Sequence, residues 1–294
     1  MLSVSCHDED DPVIGNVIEG PGPIMTAHLF PKIEAMLVEL LSSLTSEQWQ
    51  RPTLAPKWTV KDVAAHLLDT ELRLLSVGRD GYLREQPSIS GHADLVEFVN
   101  RLNAEGVAVL GRLSAPVLIA LLQATSKELC DYVSSLDPFA PAPFGVSWAG
   151  ERQSPNWFHI AREFTERWHH QQQIRTAVGK PGIMIRELYF PVLDCFMRAL
   201  PFTYRAVPAA DTTLVQINVA GDCGGNWYLY RASPGWRLLT HPTGTKAADV
   251  TIPQEIAWRI FTKGIDRASA AAETQVTGDR ALGMHVLSTI AIVG

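Results

Sequence analysis

Cysteine is scarce in this chain of 294 residues: Cys6, Cys130, Cys195 and Cys223 lie far apart and form no CxxC pair. That spacing provides neither a disulfide framework nor a cysteine-rich zinc site, and it fits a reducing cytoplasm. Long apolar runs are missing too. The most apolar stretch, residues 115–122, is far shorter than the roughly 20 residues that cross a bilayer. The opening segment has no basic region followed by an apolar one, so no signal peptide is expected, and residues 1–23 read as a flexible, solvated tail. Positive charge is not in excess either. Lys and Arg number 25 against 31 Asp and Glu, a net charge of −6, and they are scattered, which removes the electrostatic footprint of a nucleic-acid binder. The expectation is a cytoplasmic protein whose partners are neither membrane nor nucleic acid.

What is present is a well-stocked apolar inventory: 46% hydrophobic residues, with 8 Trp, 10 Phe and 6 Tyr, enough to fold two domains without covalent staples. Apolar residues at Phe30, Ile33, Leu37, Leu40, Leu41 and Leu44 keep helical period, with Pro31 tolerable in the first turn. Ser46 to Trp49 suggests a short capped turn. Thr59 is a natural N-cap, and Asp62 three residues on completes a capping-box-like start to a second helix over about 60–77. Residues 93–113 and 116–136 continue the helical spacing, and the Pro-rich segment 138–145 interrupts it. A further helix over 157–178 is closed by Gly179 and Pro181. Residues 24–182 therefore read as a helical bundle.

The pattern changes after residue 183. One more helix to Leu200, ended by Pro201, leads into segments 213–219, 226–231, 236–240 and 249–252, which alternate as strands do and imply a meander. Pro253 opens a helix through Phe261, and Val276 to Asp279 reads as a turn into a last helix through Val286. Residues 183–294 are thus expected to form a small α+β domain.

One short stretch carries most of the chemistry. Glu166 and His170 stand four residues apart on the 157–178 helix, a spacing that stacks a carboxylate and an imidazole on one face. His66, on the second helix, is the candidate third ligand. Two His and one carboxylate suit zinc or another first-row divalent ion and leave a position open. Spacing alone leaves the plainer reading open, a wet helix face, since His66 has Asp62, Asp69, Thr70 and Arg73 as neighbours in sequence. Trp157, Phe164 and Trp168 fall on one side of the later helix and His159, Arg162, Glu163, Glu166, His170 and Gln173 on the other, without a lysine.

Two segments, Trp58-Thr59-Val60-Lys61-Asp62-Val63-Ala64-Ala65-His66-Leu67 and Glu166-Arg167-Trp168-His169-His170, resemble the mycothiol-dependent maleylpyruvate isomerase family of the DinB-like superfamily. Val276 to Leu287 is similar to that family's closing Gly-Asp-x-x-Ala segment, with Ala281 one position early. The resemblance implies a DinB-like four-helix bundle followed by a sterol-carrier-like α+β domain. It implies His66, Glu166 and His170 as ligands of a divalent metal, zinc first. It also implies a low-molecular-weight thiol such as mycothiol as cofactor, and a small electrophile as substrate. Thiolate addition to a double bond, rotation and elimination would isomerise cis to trans, and attack without elimination would be S-transfer. Two departures stand out: Gln173 replaces the Asp many members carry three residues after the last ligand, and His169 competes with His170. Neighbours on a helix point about 100° apart, so one of the two faces the metal; pairing with Glu166 favours His170. The alternative reading is a non-catalytic metal or small-molecule binding protein. Arg162, Arg175 and Arg73 are each able to bind a substrate carboxylate, and none is singled out.

Overall fold

The computed structural model describes residues 20–85 and 87–292. Most of the expected tail, residues 1–19, and Cys6 with it, lie outside them. Residues 20–23 run extended along the molecule, where Arg198 donates to the carbonyls of Pro21 at 3.1 Å and Gly22 at 2.8 Å.

The helices begin where the sequence places their caps. Helix α1 (Phe30–Ser42) carries its proline in the first turn. The short α2 (Ser46–Trp49) is boxed by Thr45 and Gln48. Helix α3 (Val60–Leu74) starts at Thr59, whose hydroxyl accepts from the Asp62 amide while the Asp62 carboxylate accepts from the Thr59 amide at 2.9 Å. It runs on as a π-helical turn, Leu75–Arg79. Helices α4 (His92–Leu110), α5 (Ala115–Ser135) and α6 (Asn156–Val178) follow, the last closed by Gly179 at φ +68°. Helices α1, α3, α5 and α6 pack on one another as a four-helix bundle, and α4 lies on the outer side of α3, with none of its described side chains buried.

Residues 183–200 depart from the expected single helix. Helix α7 (Arg186–Met197) stops early, and Pro201 sits in the first turn of a separate α8 (Leu200–Thr203), where its missing N–H costs nothing. Strands β1 (Thr213–Ala220), β2 (Gly225–Ala232) and β3 (Gly235–Leu239) form the expected antiparallel meander. The fourth strand corrects the rest: β4 (Thr245–Pro253) pairs parallel with β1 on its free edge, giving the order β3-β2-β1-β4-β5. The connection depends on Gly244, at φ +92°, because a Cβ there would meet the Thr212 carbonyl oxygen at 2.3 Å. After α9 (Gln254–Phe261) come two unanticipated elements, α10 (Arg267–Glu273) and strand β5 (Gln275–Gly278). Strand β5 occupies the place expected to be a turn. Asp279 then caps α11 (Arg280–Met284), accepting from the Leu282 amide at 3.0 Å.

A helical bundle followed by a five-stranded α+β unit is therefore the architecture. Its main core is continuous across residue 183: Phe30, Phe164 and Trp168 from the bundle belong to the same buried cluster as Tyr189, Val215, Val250 and Trp258. A second cluster, with Leu37, Leu40, Val63, Leu67 and Ile174, fills the other end of the bundle. Among the described residues, no helix is long and apolar enough to cross a membrane.

Candidate metal centre

The capping box at Thr59 fixes the phase of α3, and two turns later His66 points into the bundle, 4% exposed. Helix α6 meets it there. This helix is buried nearly all round: Phe164 and Trp168 enter the main core, while His159, Glu163, Arg167, His169, His170 and Gln173 are buried as well. The polar face read from the sequence is thus an interior wall and not a solvated surface.

On that wall His66, Glu166 and His170 converge, with one ligand atom of each lying within 4.8 Å of the others. His170 Nε2 is 3.6 Å from Glu166 Oε2. The rings of His66 and His170 meet edge to face with centroids 4.6 Å apart. Trp58, from the segment just before α3, covers the pair at 4.8 Å from His66 and 6.1 Å from His170. The Nδ1 of the neighbouring His169 lies 2.9 Å from the Thr165 carbonyl oxygen, one turn back on its own helix, and 3.9 Å from Glu166 Oε2. His170 Nδ1 instead lies 2.9 Å from Gln173 Oε1. An imidazole that donates from Nδ1 keeps its lone pair on Nε2, the atom facing Glu166.

The electrostatics prepare lone pairs rather than protons. Burial, then the neighbouring His170, holds His66 well below the usual histidine range, and its Nδ1 finds no hydrogen-bond partner among the described residues. Burial and His170 likewise push His169 down to about 3. Burial alone would raise the Glu166 carboxyl, but the nearby His170, His169 and Arg162 outweigh it and hold the carboxylate well below its ordinary range. A buried imidazole nitrogen, beside a second imidazole and an ionised carboxylate, is a donor set that a divalent cation satisfies.

The arginines weighed in the sequence part company here. Arg175 is spent on structure, donating to Gln171 and to the carbonyls of Met36, Lys180 and Pro181. Arg73 bonds Asp69 at 2.8 Å and Asn103 at 2.7 Å. Arg162 lies on the ligand face of α6, bonded to Glu163. The described cysteines are poor nucleophiles: burial pushes the Cys130 thiol up to about 11 and raises Cys195 and Cys223 as well. The aromatic residues Trp227, Tyr230 and Trp236 are buried against the sheet as core.

One cluster has no individual sequence signal. Arg167 of α6 donates from Nη1 to the Leu67 carbonyl at 2.8 Å and to Glu71 at 3.2 Å, and its Nε is 3.5 Å from Glu34. All three charged side chains are at most 3% exposed, and they come from three different helices. Only the packing of α1, α3 and α6 brings them together, one residue along from Glu166 and from His66.

Residues 30–175 match the family model of the mycothiol maleylpyruvate isomerase N-terminal domain. Two crystal structures of the mycothiol-dependent maleylpyruvate isomerase, one of them a point mutant, align with 13% and 12% identity. In each case the TM-score is 0.49, and the alignment covers 80% of this chain and 86% of the other. No curated protein matches the sequence. The matched family segment runs from the start of α1 to the last turns of α6 and contains the cluster of His66, Glu166 and His170. These helices, residues 30–175, belong to the mycothiol maleylpyruvate isomerase N-terminal domain family.

Proposed function

We propose that this protein is a metal- and thiol-dependent enzyme that isomerises a small electrophile of the maleylpyruvate type, or conjugates it to the thiol through sulfur, with mycothiol as the thiol. The observation that carries the reading is the convergence of His66, Glu166 and His170 within 4.8 Å, with the His66 Nδ1 buried and unpartnered. These three residues would hold the ion, and three protein ligands leave a coordination position free, as in catalytic rather than structural zinc sites. A divalent ion bound there, zinc by the character of the donor set, lowers the pKa of a thiol so that thiolate is available at neutral pH. Gln173 fixes the His170 ring. Trp58 shields the two imidazoles. The side chain of Glu166 is 20% exposed against 9% for His170, so solvent and substrate reach the site from the carboxylate side.

Metal analysis of the purified protein and of His66→Ala tests the reading. About one equivalent of zinc in the wild type, lost in the variant, is the expected result, followed by turnover of maleylpyruvate only when mycothiol is added. A wild type that is well folded and refuses zinc would overturn the metal site. A zinc-loaded protein that is inert with every thiol would leave a binding protein in place of an enzyme.

A further inference from the structure

We propose that Arg162 is a carboxylate-binding subsite beside the metal centre, so that the electrophile accepted there is an acid held by its carboxylate one helical turn from Glu166. The inference rests on the metal-site reading above. Arg162, Glu166 and His170 stand at i, i+4 and i+8 on one face of α6. One turn is about 5.4 Å along the axis, a distance that an acid of a few carbons spans between an anchored carboxylate and a reacting carbon.

Four arginines lie on the two ligand-bearing helices, and three of them are consumed. Arg73 is bonded at Nε and Nη2, Arg167 is enclosed by Glu34, Glu71 and the Leu67 carbonyl, and Arg175 caps three carbonyls. Arg162 uses only Nη2, toward Glu163 and, at 3.5 Å, toward His159 Nδ1. Its Nε and Nη1 meet no acceptor among the described residues, and its side chain is 23% exposed, so part of the planar fork is available from solvent. Two parallel N–H groups match a carboxylate. Glu163 holds the group in place, while His159, pushed down to about 4 by burial and by Arg162, adds no charge at neutral pH.

The charge balance makes the subsite conditional on metal. Arg162, Glu163 and Glu166 sum to −1, and a divalent ion brings the site to +1. An anion is therefore repelled from the metal-free protein and attracted to the loaded one.

The test uses maleate as the probe, titrated calorimetrically into the full-length protein with and without zinc, alongside R162Q and R162K. Zinc content is measured in every sample. The expected result is maleate binding that requires zinc and weakens roughly tenfold to a hundredfold in R162Q, the loss typical of a charged hydrogen-bonded pair. R162K, which keeps the charge but not the fork, should fall between and guards against a misfolded R162Q. Dimethyl maleate, which has no carboxylate, should be indifferent to either substitution. Equal maleate binding by wild type and both variants, all holding zinc, overturns Arg162 alone. Failure of the wild type to take up zinc overturns the metal site, and this subsite with it.

Discussion

His170 Nδ1 and Gln173 Oε1 lie 2.9 Å apart, one turn of α6 from each other. In the sequence, Gln173 is a departure from the family's usual Asp; in the structure it performs the orienting task that a carboxylate would. The amide oxygen accepts the Nδ1 proton and thereby fixes both ring angle and tautomer. Replacing it by the nearly isosteric Q173L should weaken zinc binding by about 10- to 100-fold, the usual cost of losing such a partner, while Q173D should hold or tighten it. Competition against a chromophoric chelator measures both. Unchanged affinity in Q173L would show that the ring needs no support.

Much of this site was legible before any coordinates. The spacing of Glu166 and His170, and the Trp58-Thr59 entry to His66, required only helical phase. What the sequence left open was the environment. His159, Glu163, Arg167 and Gln173 are individually ordinary on a helix, and only the packing of α1, α3 and α7 around α6 makes them interior. The bond between His169 and the Thr165 carbonyl is another contact that spacing alone does not reveal. In the sheet, alternation indicated which residues form strands, and the meander it implied holds only for β1, β2 and β3. It therefore missed the parallel pairing of β4 with β1, and it missed the four-residue β5 and the Ala-rich α10, both too short for a periodic signal.

Arg167 joins α3 and α6 at the level of the candidate metal centre, through the Leu67 carbonyl and Glu71. R167M should remove that link and leave Glu34 and Glu71 buried without a cation, at a cost of about 3–5 kcal/mol in denaturant unfolding. Converting both acids to their amides in the same background (E34Q, R167M, E71Q) should recover a large part of the loss. If R167M alone unfolds like the wild type, the buried triad is not what holds α3 to α6.

The metal-stripped protein should be most stable near pH 6.5. Burial first, then Arg162, pushes His159 down to about 4; burial and His170 take His169 to about 3 and His66 well below its ordinary value. Below about 6.5 unfolded histidines bind protons that these three refuse, so stability falls as pH drops from there toward 4. Glu71 acts in the opposite sense. Burial, then Glu34, raises it to about 8, so the folded state keeps a proton that an unfolded glutamic acid has lost above about 4.3. That contribution fades as pH rises to 8. Three histidines outweigh one acid below pH 6.5, and the acid acts alone above it, each group contributing up to about 1.4 kcal/mol per pH unit. Calorimetric Tm should peak accordingly, and E71Q should abolish the alkaline decline. A wild-type Tm that climbs from pH 6.5 to 8 would contradict the assignment.

The far side of the ligand helix depends on the last third of the chain. Trp168 stacks on Tyr189 with centroids 4.3 Å apart and rings 3° from parallel, meets Trp258 edge-on at 6.0 Å, and donates its indole N–H to the Ile183 carbonyl at 3.0 Å. Tyr189 in turn donates to the Gln254 carbonyl at 2.6 Å. Trp168 lies in the bundle, residues 24–182, while its partners Ile183, Tyr189 and Trp258 lie in the 183–294 segment. A fragment ending at residue 182 would expose that ring, so it should not unfold cooperatively and should bind zinc poorly. In the full chain, W168A should cost about 3–5 kcal/mol and loosen zinc binding, because the same helix carries both faces. The contrary outcome is equally concrete: a fragment of residues 20–182 that melts in one sharp transition and retains wild-type zinc affinity would mean that the bundle supports its metal centre without the sheet.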